Sequence, residues 1–291
     1  MNSEKNLIIC WSFLLTIFLF SCTKELNYEL QDETRIVVNS ILKPNEPISL
    51  YLSTTTSVLG TYNDSLRTYH VRLFAAGNLL MDTATGSGIF ATNIDWVVKT
   101  NYRIEVESED LPSVWVEDSI PPVVFIQESK YFPSVGVDEY GDKYSRINVT
   151  FTDPQDYENY YELIIQNGES SYWYYADGGT DLPVIDPVLQ NEGDMSYYPS
   201  TYFFSDELFN GQTYTIRING HGSYQLKARL RSVSKNYYLY QKYYTRHVYN
   251  QQFRGDFWET VFMSEPQTMY TNVKNGYGIF AGYTEHVVEV E

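Results

Sequence analysis

The chain has 291 residues, 37 of them acidic and 20 basic, and a formal net charge of -17 at neutral pH. That excess repels nucleic acid and anionic headgroups, so nucleic acid is excluded as a partner. The length suffices for two domains with a core each, and two cysteines, Cys10 and Cys22, leave no disulfide framework.

From residue 7 an apolar run, Leu7-Ile8-Ile9-Cys10-Trp11, continues to Leu19-Phe20-Ser21-Cys22 behind a short N-terminus carrying Lys5. It has the length of a signal-peptide core and falls short of the roughly 20 residues that span a bilayer, which disfavours the alternative of an uncleaved anchor. Leu19 to Cys22 resembles a lipobox, with Phe20 where a smaller residue is usual. Residues 1–21 are therefore expected to be a lipoprotein signal peptide, Cys22 the acylated residue (palmitate-type chains), and 22–33 a tether. Thr23-Lys24-Glu25 resembles the surface-export signal of Bacteroidota lipoproteins, which implies an outer-membrane protein facing the exterior. Removal of Glu4 and Lys5 with the signal peptide leaves the charge unchanged, so the acidity belongs to the folded part.

From residue 35 the dominant period is two, the signature of half-buried antiparallel strands. Ile48, Leu50 and Leu52 alternate with Ser49, Tyr51 and Ser53; Tyr102, Ile104 and Val106 alternate with Arg103, Glu105 and Glu107. With 35–41, 71–75, 79–82 and 113–119, about seven short strands are predicted, the spacing of an immunoglobulin-like β-sandwich over 34–122. Pro121-Pro122 breaks strand pairing and is the predicted boundary. A second antiparallel β domain follows over 123–291, with strands at 147–152, 161–166, 214–219 and 224–231. Asn219-Gly220-His221-Gly222 predicts a hairpin between the last two. After Ser234, an expected N-cap, residues 235–250 set Tyr237, Tyr240, Tyr244 and Val248 on one stripe and predict one substantial helix. The chain closes with Gly278 to Gly282 and a strand-like 286–290.

Three phrases stand out: Phe204-Ser205-Asp206-Glu207-Leu208-Phe209-Asn210-Gly211, the helix opening Ser234-Lys235-Asn236-Tyr237-Tyr238-Leu239-Tyr240, and Asn272-Val273-Lys274-Asn275-Gly276-Tyr277-Gly278-Ile279-Phe280. With a lipobox and an early Val37-Val38-Asn39-Ser40 strand, their order resembles the DUF4249 lipoproteins of Bacteroidota over nearly the whole mature chain. The resemblance implies an envelope lipoprotein of unassigned activity, often encoded near TonB-dependent outer-membrane transporters, and brings no catalytic residues.

No local pattern carries catalysis or a cofactor. His70, His221, His247 and His286 lack zinc-ligand spacing, and Gly86-Ser87-Gly88 and Gly220-His221-Gly222-Ser223 lack that of a nucleophile elbow and read as turns. Asp138 to Asp142, Asp153 to Asp156 and Asp177 to Asp181 cluster oxygen ligands without EF-hand spacing. Such loops also form without metal, because Asp hydrogen-bonds its own backbone, and no metal is called.

Tyrosine is the unusual constituent, 28 in all, with fifteen in the stretches 157–161, 172–175, 197–202 and 237–249. Its flat face and polar tip suit a glycan or peptide ligand as well as a half-wet sheet. In Tyr172-Trp173-Tyr174-Tyr175 consecutive aromatics must face both ways, so these four, with Tyr197 and Tyr198, are the candidate binding surface. The resulting expectation is a non-enzymatic, lipid-anchored binding or accessory subunit, of a TonB-dependent outer-membrane barrel by the resemblance. The alternatives are a structural or adhesive envelope module and a carboxylate-based hydrolase assembled only in the fold.

Overall fold

The computed structural model describes residues 33–56, 67–138, 140–155, 157–167, 201–220, 225–251 and 268–291; among these, apolar and polar residues that mostly alternate build fourteen strands, and a capped run builds one helix. The strands are β1 (Ile36–Leu42), β2 (Ser49–Thr54), β3 (Thr68–Ala75), β4 (Asn78–Gly86), β5 (Gly88–Ala91), β6 (Asn101–Ser108) and β7 (Leu111–Ser119), then β8 (Ile126–Val137), β9 (Lys143–Thr152), β10 (Tyr160–Asn167), β11 (Thr201–Ser205), β12 (Thr213–Gly220), β13 (Leu226–Val233) and β14 (Tyr277–Glu289). The helix, α1, is Lys235–Gln251.

The described strands form a seven-stranded sheet of order β11-β10-β13-β14-β1-β2-β5, a four-stranded sheet, β4-β3-β6-β7, and a three-stranded sheet, β12-β9-β8. Every pairing is antiparallel except that of β1 with β14. The chain is mainly β and sandwich-like, as its sequence pattern predicts. Thr34–Glu291 forms one compact unit.

Two main cores fill the sandwiches. The first gathers Ile36 and Val38, Leu50 and Leu52, Tyr69 and Val71, Ile104 and Val106, and Val114 and Val116, the alternate residues of five strands. The second gathers Ile147, Val149 and Phe151, Tyr161, Leu163 and Ile165, Phe204 and Phe209, Ile216 and Ile218. Pro121-Pro122 lies between Ile120, the last residue of the first half in one core, and Val124, the first residue of the second half in the other. The seven-stranded sheet nevertheless runs through both halves, because β14 pairs with β1 on one side and β13 on the other. Phe280 of β14 packs into the first core and Val288 against the second, while Ile279, Ala281 and Tyr283 point to the opposite face, where Tyr237 and Tyr238 of α1 cover them.

The parallel pairing of β14 depends on close backbone approach. Gly278 has φ +113, and a Cβ there would lie 2.1 Å from the Val38 carbonyl oxygen. Just upstream, the Asn272 amide brackets Phe280, donating from Nδ2 to its carbonyl at 2.7 Å and accepting its N–H at Oδ1 at 3.0 Å.

Two sequence expectations are corrected or completed by the pairing. The predicted hairpin at Asn219-Gly220-His221-Gly222 does not form: β12 pairs with β9 and β13 with β10 and β14, so consecutive strands cross between sheets. The two C-terminal pieces are one 13-residue strand, since residues 279–284 are buried on both faces and hide the period of two. Strand β8, mostly exposed and shifted in register against β9, carries no clear alternation. Helix α1 begins as expected, with the Ser234 hydroxyl accepting the Tyr237 N–H at 3.2 Å. Its buried contacts are Tyr237 and Tyr238, whereas Tyr244 further along the predicted stripe is 36% exposed.

Candidate functional site

Cys22 and the predicted binding surface, Tyr172, Trp173, Tyr174, Tyr175, Tyr197 and Tyr198, lie outside the described residues. Several tyrosines of the other stretches serve as packing. Tyr161 is fully buried and stacks on Phe204 at 5.3 Å; Tyr160 packs on Tyr238 at 4.8 Å, and Tyr237 meets Tyr283 edge-on at 5.6 Å.

Two buried polar networks lock the second sandwich and its helix. In the first, Tyr161 donates its hydroxyl to Asp153 Oδ1, and the Gly211 N–H donates to Asp153 Oδ2 at 2.8 Å. Burial pushes Asp153 above the usual carboxylate range while these bonds pull the other way, and it drives the Tyr161 hydroxyl further up. Beside it Asn159 donates from Nδ2 to Asp206 Oδ2 at 3.3 Å. The chain turns sharply here: Phe209 N–H donates to the Asp206 carbonyl at 2.8 Å, and Gly211 takes φ +72, with Gln155 only 2.8 Å from where a Cβ would stand. The phrase Phe204 to Gly211 is thus a structural clasp.

In the second network Glu162, Arg231 and Glu285 stand directly across from one another on β10, β13 and β14. Arg231 bonds Glu162 Oε2 at 2.9 Å and Glu285 Oε2 at 3.2 Å, and its guanidinium lies 4.4 Å from the Tyr283 ring centroid. Tyr237 also donates to Glu162, at 3.1 Å, which ties α1 to the sheet. Burial is the largest influence on Glu162 and raises it, against the pull of Arg231 and Tyr237.

Of the acids in the predicted oxygen-rich loops, Asp138 and Asp153 accept backbone N–H groups. Asp138 Oδ1 accepts the N–H groups of Tyr140 at 2.9 Å and Asp142 at 2.8 Å, closing its own turn. His70 pairs with Asp82 at 2.6 Å on an exposed sheet face, and His286 Nδ1 accepts the Ile126 N–H at 3.1 Å. Among the described residues no group of three or more His, Cys, Asp or Glu side chains is arranged to hold a metal ion.

A cleft of about 460 Å³ opens where the end of β7, the Pro121-Pro122 connection, the segment before β10 and the start of α1 meet. That volume is within the range of small-molecule sites. Tyr157 and Tyr160 supply ring faces, each carrying an ammonium group: Lys99 Nζ lies 5.8 Å from the Tyr157 centroid and Lys235 Nζ 5.6 Å from that of Tyr160. Lys235 also pairs with exposed Glu158 at 3.1 Å.

Asp118, at the end of β7, is the exceptional group of this cleft. Its Oδ1 accepts the Ser119 N–H at 2.8 Å, while Oδ2 is enclosed and has no hydrogen-bond partner. Desolvation raises its pKa to about 6, against smaller opposing effects of Ser234, the Ser119 amide and Asn236. No local sequence signal marks it, because the walls come from residues 99, 118–122, 157–160 and 233–235, which meet only in the fold.

These features define a mainly β protein of antiparallel, sandwich-like sheets, whose one described helix is clamped to the shared sheet beside a tyrosine-walled cleft. The chain belongs to the family described as a domain of unknown function, DUF4249, whose model matches residues 23–288. No curated protein matches it.

Proposed function

We propose that the chain is a non-enzymatic binding or accessory subunit, held at the outer membrane by lipid on Cys22 and facing the cell exterior, and that its partner is a TonB-dependent barrel. The cleft is the observation that carries the binding part of this reading. It is of ligand size, aromatic-walled, and balanced by Lys99 and Lys235 against Asp118 and Glu158. A hydrolase would need two carboxyls free to act. In this cleft Glu158 is exposed and paired with Lys235, while the buried pair Asp153 and Asp206 already accepts from Tyr161, Gly211 and Asn159. The anchor rests on the signal-like sequence ending at Cys22, the exterior location on the resemblance of Thr23-Lys24-Glu25 to a surface-export signal, and the bacterial phylum and the barrel partner on the family resemblance.

The test is an affinity pull-down of C-terminally tagged protein from gently solubilised outer membranes, with co-purifying proteins identified by mass spectrometry. Stoichiometric recovery of a TonB-dependent barrel is the expected result, and recovery of the protein alone overturns it in favour of an adhesive or structural module. Changing Trp173 and Tyr174 together to Ala is expected to abolish capture while leaving the melting temperature nearly unchanged; a large fall in melting temperature would assign those residues to a core instead.

A further inference from the structure

Strands β8 and β9 run beyond their neighbours as a hairpin arm. β8 starts beside β14, where the Ile126 N–H donates to His286 Nδ1 at 3.1 Å. It follows the chain to its end: the Glu291 N–H donates to the Ser129 carbonyl at 3.1 Å, and the Glu291 carbonyl accepts the Tyr131 N–H at 2.6 Å. On the other side β12 leaves β9 at the pair Gly220 and Ser145. Past Tyr131 on β8 and before Ser145 on β9, the two strands pair only with each other among the described residues. A lone pair of strands is marginal in water, and this one is held by its own parts. Asp138 Oδ1 accepts the Tyr140 and Asp142 N–H groups, and the Asp138 N–H donates to the Asp142 carbonyl at 2.9 Å. The Tyr144 ring lies over Gly136, 2.3 Å from where a Cβ would stand.

The arm presents large apolar side chains to water. Phe132 is 39% exposed, Val135 40%, Val137 59% and Tyr140 80%, and none of them belongs to a core. Val135 and Val137 share one face of β8, and Tyr140 stands in the turn that follows. Apolar groups gathered at a tip and buried in no core contribute little to the fold; a patch of this kind marks an interaction site. The outer edge of β8 is unsuited to an added strand. Pro133 has no N–H, Ser134 takes φ +51, and between Phe132 and Gly136 the register shifts, four steps along β8 opposing two along β9. Recognition is therefore through the side chains.

Charge selects the occupant. Asp138 and Asp142 flank Tyr140, Lys143 is the one cation beside them in sequence, and the chain carries -17. Anionic headgroups and a second copy of the chain are both repelled. The arm also lies at the far end of β14 from Thr34, because Tyr277 at the start of β14 pairs with Val37, and its 13 residues rise about 40 Å. The cleft sits partway along, at Ser234, whose N–H donates to the Gly282 carbonyl at 2.9 Å, so arm and cleft are separate sites. We propose that the tip of the arm, Val135, Val137 and Tyr140 with Asp138 and Asp142, inserts into an apolar hollow on a partner protein whose rim carries Lys or Arg. The apolar groups supply the contact and the two carboxylates select the positive rim. This surface goes beyond the binding role of the cleft and stands whatever the cleft holds.

The experiment puts photoreactive benzoylphenylalanine in place of Tyr140 in the full chain, in intact cells. The control carries the same group in place of Leu79, which is 53% exposed on β4. The expected result is one protein adduct from position 140 and none from 79, with Lys or Arg beside apolar residues in the cross-linked peptide. Its yield should fall at least about tenfold when Asp142→Lys reverses the tip charge, and likewise when Val137→Ser removes apolar contact. The turn survives the first change, because its hydrogen bonds take only backbone groups from Asp142. Melting temperature should move by less than about 3 °C in either variant, as for side chains outside every core. A lipid adduct, an adduct of twice the chain mass, equal labelling from position 79, a yield that Asp142→Lys leaves unchanged, or no adduct at all overturns the proposal. So does a larger fall in the melting temperature of Val137→Ser, which would make Val137 a packing residue.

Discussion

Asp153 beneath the second sandwich and Asp118 at the joint of α1 are the same residue type in opposite situations. Both are raised by burial, but Asp153 receives the Tyr161 hydroxyl on one oxygen and the Gly211 N–H on the other, while Asp118 receives the Ser119 N–H on Oδ1 and its enclosed Oδ2 has no partner within hydrogen-bond distance, the opposing pull of Ser234 and Asn236 being smaller than its burial. A buried carboxyl with both oxygens engaged is an anchor whose removal orphans its donors. One with an enclosed, unpartnered oxygen is a local liability that protonation or neutral substitution relieves. The family phrase Phe204 to Gly211 belongs to the first kind, which is why it marks a clasp and carries no chemistry.

Substitutions that strip or restore partners break this contrast most directly. Asp153→Ala should have the largest effect, leaving the Tyr161 hydroxyl and the Gly211 N–H buried without an acceptor, and should cost about 3 kcal/mol in urea unfolding. A loss below about 1 kcal/mol would mean that Asp153 is no anchor. Asp118→Asn should act with the opposite sign, stabilising the fold at pH 7.5 by about 2 kcal/mol, somewhat less than the full value of its shift because the side chain is only half-buried.

The pH profile sharpens that second case. An acid whose folded pKa, about 6, lies above its unfolded value, 3.8, is bound by a proton in the folded state while the unfolded chain has already released it. Stability from Asp118 is therefore fully present below about pH 4 and is lost as pH rises towards 6, flattening above that. Melting temperatures measured from pH 4 to 7.5 should fall more steeply in the native protein than in Asp118→Asn; parallel curves would remove Asp118 as the cause. Ser234→Ala, which deletes the helix cap, should cost about 1 kcal/mol and loosen α1 at either pH. Smallest of all, Lys235→Ala breaks an ion pair whose two side chains are each 60% exposed, and should change stability by less than about 0.5 kcal/mol by thermal melting.

Legibility in the sequence followed the number of wet faces. Strands with one dry and one wet side, such as β2 with Leu50 and Leu52 buried or β6 with Tyr102, Ile104 and Val106 buried, announce themselves by their alternation. Helix α1 is readable because Ser234 caps it and the run after it has few turn residues. β14 is not, since it is covered on both faces by two cores and a helix, and β8 is not, since it is mostly exposed. The crossing of β12 and β13 to different sheets was hidden behind an Asn-Gly pair that ordinarily closes a hairpin. For the candidate site, Tyr157 and Tyr160 of one tyrosine stretch line the cleft, the predicted surface at 172–175 and 197–198 lies outside the described residues, and the residue that distinguishes the cleft, Asp118, carries no motif.

By itself the sequence determined a mainly β chain with one helix from 235, a DUF4249 family pattern and an acidic folded part, because period, capping and composition are local properties. Tertiary structure alone decided that β14 joins both sandwiches through one sheet, that both oxygens of Asp153 are engaged while Asp118 Oδ2 is not, and that a cleft opens where β7, the segment before β10 and the start of α1 meet. Those outcomes depend on which distant segments meet, and no spacing along the chain encodes whether a buried oxygen finds its donor.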